Sequence, residues 1–88
     1  MKLTIIREDG SIYQDGISYL DSNLSFIPTN VHALQWKDNN GWIEYSEDDE
    51  GNKQHNEKIY ILPDWANTAI DICIISNTDI LSANTLSN

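Results

Sequence analysis

The segment from Val31 to Tyr45 constrains the fold more than any other part of the chain. It reads VHALQWKDNNGWIEY, two runs of alternating apolar and polar residues on either side of a turn-forming Asp-Asn-Asn-Gly sequence. Successive side chains of a strand point to opposite faces, so each run is typical of a strand with one buried face. Asn-Gly favours the tight turns that join antiparallel strands. The sequence therefore predicts a β-hairpin here.

The register of this hairpin can be predicted from the pairing of its apolar side chains. A two-residue loop at Asn40-Gly41 would pair Leu34 with Glu47, whereas a four-residue loop over residues 38–41 pairs Leu34 with Tyr45. The longer loop also sets Trp36 opposite Ile43 and collects the apolar residues on one face. Because burial of one face specifies register, we predict the four-residue loop.

The predicted hairpin has an apolar core face and a polar face. The core face holds Leu34, Trp36, Ile43 and Tyr45, with His32 at its edge as a residue that makes one hydrogen bond. The polar face holds Gln35, Lys37, Trp42 and Glu44. Trp42 is the unusual member, because exposed tryptophans are enriched among the residues that dominate protein interfaces. These four residues are the predicted partner-binding site, unless another element covers Trp42 or Lys37 lies over its ring.

Three short strands are predicted before the hairpin, in KLTIIRE, SIYQ and ISYLD. Asp9-Gly10 and Asp15-Gly16 separate them, and both dipeptides favour type I′ turns because their residues tolerate positive φ. The connector that follows contains Pro28, which cannot donate to a central ladder. The sequence therefore predicts an antiparallel meander that leads into the hairpin.

One more strand and a helix are predicted after the hairpin. EKIYIL is the strand, and Asp64 is a suitable N-cap because its carboxylate can accept from the first free amides. A helical stripe follows, formed by Ala66, Ala69, Ile70 and Cys73. The isoleucines of residues 70–74 also alternate as in a strand, so residues 69–75 fit either structure. Residues 82–88 are predicted to fray.

These elements predict an α+β fold in a single domain of residues 1–88. It consists of a small antiparallel, strongly twisted sheet of about five strands with one C-terminal helix. Most of the core is predicted to come from Leu34, Trp36, Ile43, Tyr45, Ile59, Ile61, Trp65 and Ile70.

The charge of the chain argues against two classes of partner. It has 14 acidic and 5 basic residues, a formal net charge of −9. Sequence-independent nucleic-acid binding needs cations to neutralise phosphates, and anionic membranes attract basic segments. Mimicry of DNA by this charge is the alternative, but much of the excess lies in one run, Glu47–Glu50, which is typical of a solvated loop. We therefore predict neither nucleic acid nor membrane as a partner.

No residue pattern predicts catalysis, a cofactor or a metal. There is no glycine-rich phosphate loop and no nucleophile elbow, and Cys73 is the single cysteine. His32 and His55 do not have the spacing of a zinc site. A calcium loop centred on Gly51 would place ligands at Ser46, Asp48, Glu50, Asn52 and Glu57, but its first position lacks aspartate and strands flank it. The sequence therefore predicts a protein that is not an enzyme.

Four segments carry a resemblance to a known group of proteins: IIREDGSIYQDG, IPTNVHALQWKDNNGWIEY, GNKQHNEKI and LPDWANTAI, which span about residues 3–70. In this order they resemble small tailed-phage proteins encoded among tail and tail-fibre genes. Some members continue in a longer helical segment, from which DICIISNTDILSANTLSN departs. The resemblance carries no catalytic residue. It implies a phage-encoded binding or structural module, in the virion or the infected host cytoplasm.

The expected function is therefore protein–protein contact by a tail-associated component or tail-fibre assembly factor. The alternative is a phage inhibitor of a host protein, an anti-defence or host-takeover factor that uses its acidic surface. The partner's identity and the oligomeric state are left open.

Overall fold

The computed structural model describes residues 1–86, and the side chains of residues 1–76. The described chain forms an antiparallel sheet and one helix, which confirms the α+β prediction with six strands instead of about five. The elements in chain order are β1 (Lys2–Ile6), β2 (Ser11–Gln14), β3 (Ile17–Tyr19), β4 (Val31–Lys37), β5 (Asn40–Tyr45), β6 (Glu57–Ile59) and α1 (Asp64–Leu86). The strand order across the sheet is β3-β2-β1-β4-β5-β6.

The predicted N-terminal meander is present, and one of its two turns has the predicted form. Asp15 and Gly16 both adopt positive φ, 50° and 85°, as a type I′ turn requires. At the first turn Gly10 has positive φ but Asp9 does not, and the Gly10 amide donates to the Arg7 carbonyl at 3.2 Å. The type I′ prediction for Asp9-Gly10 was therefore wrong. The connector after β3 reaches this turn, where the Ser22 amide donates to the Gly10 carbonyl at 2.9 Å.

The β4–β5 hairpin has a shorter loop than predicted. Asp38 and Asn39 form a two-residue turn, and the strands pair Leu34 with Ile43 and Trp36 with Gly41. The predicted four-residue loop was wrong, and so was the alternative loop at residues 40–41. From Leu34 to Tyr45 the strands slipped by an even number of positions, so these side chains stay on their predicted faces. A bulge between Val31 and Ala33 shifts the register by one residue, so that Val31 and not His32 continues the buried face opposite Tyr45.

Gly41 explains this register. A methyl carbon on Gly41 would lie 2.0 Å from the carbonyl oxygen of Gln35 and 2.8 Å from the Cα of Trp36. The strands therefore approach each other where only glycine fits. The turn is also held by the chain terminus, since the Asp38 amide donates to the Met1 carbonyl at 2.7 Å and Asp38 adopts a φ of 59°. A register chosen by pairing large side chains with each other overlooks glycine as the partner of a tryptophan.

The core lies between one face of the sheet and α1. Leu34, Trp36, Ile43 and Tyr45 are buried as predicted, while Ile59, Trp65 and Ile70 are half-buried against them. Ile61 was wrongly predicted: it is 84% exposed, because β6 ends at Ile59 and the chain then turns towards the helix. The core also contains residues that the prediction omitted, among them Leu3, Ile5, Ile12, Leu24, Ile27 and Val31.

Residues 69–75 are helical, which decides between the two patterns of the sequence. Ala66, Ala69 and Cys73 are fully buried on one stripe of α1. The helix begins differently from the prediction, because the Pro63 carbonyl accepts the first helical hydrogen bonds, from Ala66 and Asn67. Asp64 is therefore in the first turn and not the N-cap; its carboxylate still favours the positive end of the helix dipole. The backbone is helical through Leu86, and residues 87–88 of the predicted frayed tail lie outside the described residues.

We predict that Gly41→Ala lowers the free energy of unfolding by about 1 to 3 kcal/mol or more, because the methyl group meets backbone atoms of β4. Chemical denaturation followed by circular dichroism measures this loss. Gly16→Asn is the matched control, since Gly16 has open space around it and asparagine tolerates its left-handed φ. A Gly41→Ala protein as stable as the wild type would contradict the β4–β5 register.

Candidate protein-binding face

The face of the sheet opposite the core, here called the outer face, is built by strands that are distant in sequence. Strand pairing places Tyr13, Thr4, Gln35, Trp42 and Lys58 side by side in one row across five strands. A second, shorter row contains Lys2, Lys37 and Asn40. In the described residues the helix packs on the opposite face, against the core. The outer face is therefore left uncovered by α1.

The structure brings the four predicted site residues together on this face. Gln35 lies directly opposite Trp42, and Lys37 lies opposite Asn40 at the turn. Trp42 is 41% exposed, and its indole Nε1 donates to the Glu44 carboxylate at 2.9 Å. This hydrogen bond favours one orientation of the ring.

Neither of the two alternatives for Trp42, a cation–π contact with Lys37 or cover by another element, is found in the described residues. The cation–π contact found among the described residues is Lys58 with Tyr60, at 5.8 Å from the ring centroid, and Lys37 makes none with Trp42. The outer-face position and exposure of Trp42 also show that the helix does not cover it. Whether a partner binds Trp42 remains a prediction.

A groove of about 400 Å³ lies beside Trp42 at the turn end of the hairpin. Its lining includes Gln35, Lys37 and Trp42, together with Lys2 and Thr4 from β1. The Thr4 hydroxyl donates to Gln35 Oε1 at 2.8 Å and ties the two strands together across the groove floor. The sequence analysis missed Lys2 and Thr4, because nothing local in the sequence shows that β1 pairs with β4.

The acidic run forms an ordered loop in which the Asp48 carboxylate accepts hydrogen bonds from backbone amides of the loop. Asp48 Oδ1 accepts from the amides of Asn52 at 2.8 Å and Glu50 at 2.9 Å. These backbone hydrogen bonds, that of Asn52 foremost, lower the pKa of Asp48. Glu57, the last ligand of the calcium pattern, accepts instead from the Tyr45 hydroxyl. In the part of the chain that the structure describes, no three His, Cys, Asp or Glu side chains gather as a metal site would require.

His32, Glu8 and Ser46 form a polar cluster at the other end of the hairpin. Glu8 contacts His32 Nδ1 at 2.6 Å through Oε2 and accepts from the Ser46 hydroxyl at 2.8 Å through Oε1. Partial burial raises the pKa of the Glu8 carboxyl, but the hydrogen bonds with Ser46 and His32 outweigh it, so the pKa is lowered. The carboxylate stands between serine and histidine, whereas a catalytic triad places the histidine next to the nucleophile. The cluster links the β1–β2 turn to β4 and β5.

No protein-family model matches this chain, and no match was found among curated proteins or solved structures. Within the described residues, no helix has both the length and the apolar character needed to cross a membrane.

The Tyr45–Glu57 contact generates a prediction about alkaline pH. The hydrogen bond to Glu57, assisted by burial, raises the pKa of Tyr45 from 10.0 to about 12. A raised pKa in the folded state means that this stabilisation is complete below pH 10 and is lost as the pH rises towards about 12. Glu57→Gln should therefore bring the titration of Tyr45 closer to its ordinary range.

Ultraviolet absorbance of tyrosinate, recorded against pH, measures this change. Glu44→Gln is the matched control, because it removes a β5 carboxylate that bonds Trp42 and not Tyr45. The contact would be refuted if wild type and Glu57→Gln gave the same titration curve.

Proposed function

We propose that this chain is a non-enzymatic protein-binding module that contacts its partner through the outer face, with Trp42 as the anchor. The observation that carries the proposal is the state of Trp42: its ring is exposed beside a groove, and its indole N–H donates a hydrogen bond to Glu44 that favours one ring orientation. A side chain fixed before binding loses less conformational entropy when a partner immobilises it.

The surroundings of Trp42 have the composition of an interface. Aromatic residues are enriched in the centres of protein interfaces, and polar residues form the rim. Here Gln35, Lys37, Glu44 and Lys58 surround the indole on neighbouring strand positions. The groove, at about 400 Å³, is large enough to receive one or two partner side chains.

The biological setting of the proposal is a bacteriophage. Similarity of residues 3–70 to small phage proteins encoded among tail genes supports a tail-associated component or a tail-fibre assembly factor. In this setting the protein acts by protein contact, in the virion or in the infected host cytoplasm, without nucleic acid or membrane as partner.

A second candidate is inhibition of a host protein. The observation that favours it is the acidic loop, where exposed carboxylates of Glu47–Glu50 project from a turn that Asp48 holds in shape. An inhibitor would use this loop and not the Trp42 face, so variants of the two surfaces separate the candidates.

We predict that Trp42→Ala leaves the protein folded and weakens partner binding by about 2 kcal/mol or more, roughly 30-fold in affinity. Trp36→Ala should instead cost about 3 to 5 kcal/mol of stability, because it empties a core position. Thermal melts separate the two effects. Trp42→Ala unfolding as readily as Trp36→Ala would make both rings structural and end the binding-site proposal.

The binding measurement is capture of partners by the tagged protein from infected cells, identified by mass spectrometry. Phe26→Ala is the matched control, because Phe26 is an aromatic of similar exposure, 39%, in the connector before β4. Recovery of fibre or baseplate proteins by wild type and Phe26→Ala, but not by Trp42→Ala, supports the proposal. Recovery of a host nuclease or polymerase that depends on Glu47–Glu50 would support the inhibitor instead.

A further inference from the structure

The few cations of this chain are concentrated on the outer face. The sequence has five lysine and arginine residues and a net charge of −9, yet Lys2, Lys37 and Lys58 all lie on the outer face, near Trp42. Lys2 and Lys37 are direct cross-strand neighbours, so their like charges repel each other. Among the described residues the ion pairs are Met1–Asp38 and His32–Glu8, and neither uses a lysine. An arrangement that costs stability in this way suggests an anionic ligand.

In the groove, the ammonium groups of Lys2 and Lys37 and the amide nitrogen of Gln35 have no acceptor among the described residues. Three amide oxygens already accept internal hydrogen bonds: Gln35 Oε1 from Thr4, Asn39 Oδ1 from Asn40, and Asn40 Oδ1 from Lys58 at 2.7 Å. An ammonium group can donate hydrogen bonds but cannot accept them, and the part of the Gln35 side chain without a partner is its amide nitrogen, which is also a donor. A ligand that satisfies this groove must therefore bring acceptors.

The carboxylates nearest the groove are also engaged. Asp38 accepts from the terminal ammonium group of Met1 at 3.1 Å, and Glu44 accepts from the indole of Trp42 at 2.9 Å. Neither is in an ion pair with Lys37. Lys2 and Lys37 thus have no ion-pair partner among the described residues, and Lys58 has neutral partners, Asn40 and the Tyr60 ring.

We infer that the outer face binds a polypeptide segment of a partner protein that carries two carboxylates on either side of an apolar residue. The apolar side chain packs on Trp42, while the carboxylates reach Lys58 on one side and Lys37 with Lys2 on the other. This names the partner chemistry of the proposed protein-binding face and rests on that proposal. Alternate residues of an extended segment are about 6.8 Å apart on one side, whereas neighbouring strands are about 4.8 Å apart, so the long lysine side chains must cover the difference to reach acidic residues at alternate positions.

A nucleic acid also brings acceptors, but it fits this chain less well. Strong binding to a polyphosphate requires many neutralised phosphates, and the outer face offers three lysines in a chain with 14 acidic residues. A peptide with two carboxylates matches three lysines without extending along the acidic surface of the molecule.

The experiment is an NMR titration with a designed probe, the capped peptide Glu-Ser-Leu-Ser-Glu, and its neutral analogue Gln-Ser-Leu-Ser-Gln. The glutamate peptide should cause saturable shifts of the Trp42 indole N–H and of the Gln35 and Lys37 amides. The glutamine peptide should bind at least about tenfold more weakly, because charge-assisted hydrogen bonds are lost. No saturable shift with the glutamate peptide at millimolar concentration would overturn the inference.

Matched charge reversals test whether the lysines of this face are responsible. Lys37→Glu should weaken the glutamate peptide by about tenfold or more, whereas Lys53→Glu, which changes the net charge equally in the acidic loop, should change it by less than about twofold. Equal weakening by both variants would show a general charge effect and refute a specific site.

Other occupants give distinct results that would also overturn the inference. Tighter binding of a ten-nucleotide thymidine strand than of the glutamate peptide would indicate nucleic acid. Shifts at Trp42 that grow with protein concentration alone would indicate the acidic loop of a second copy.

The failure of this inference can be distinguished from the failure of the proposed function. If Trp42→Ala loses its partner from infected cells while the wild type does not bind the glutamate peptide, the proposed function stands and only this inference falls. If the glutamate peptide binds but no partner depends on Trp42, the proposed function falls, and the inference about the chemistry of its partner falls with it.

Discussion

Strand β4 is paired on both sides, with β1 and with β5, and the rest of the structure depends on this double pairing. Its alternating side chains divide the protein in two. Leu34 and Trp36 point into the core beneath α1, while Gln35 and Lys37 point to the outer face. A domain of this size buries a modest fraction of its surface, so one central strand with a continuous apolar face supplies a large share of its stability.

The same pairing creates the groove. Lys2 and Thr4 reach it from β1, and Trp42 reaches it from β5, so it exists only where both neighbours of β4 are in register. The Met1 ammonium group holds Asp38 at the hairpin turn, which connects the beginning of the chain to the end of the groove. Folding stability and the shape of the outer face therefore have a common origin. Substitutions that shift the β4–β5 register should affect both, whereas substitutions of Trp42 or of the surface lysines affect only the outer face.

Errors in the sequence interpretation have two physical sources. Alternation identifies the face of a residue but is unchanged by a slip of two positions, so it could not distinguish the pairing of Trp36 with Ile43 from its pairing with Gly41. Hydrophobicity identifies candidates for burial but not the end of a strand. Ile61 is as apolar as Ile59, yet β6 ends between them and leaves Ile61 in solvent.

The sequence by itself determined the α+β class, the meander, the hairpin and the faces of Leu34, Trp36 and Trp42, because periodicity and turn residues are local properties of the chain. The helical stripe of Ala66, Ala69 and Cys73 was one of two patterns that the sequence allowed for this segment, and the structure decided in its favour. Only the tertiary structure decided that β1 lies beside β4, that α1 covers one face, and that three of the five basic residues share the other. These are contacts between residues far apart in sequence, and their choice depends on packing and on the close approach of backbones at Gly41, which no local pattern encodes.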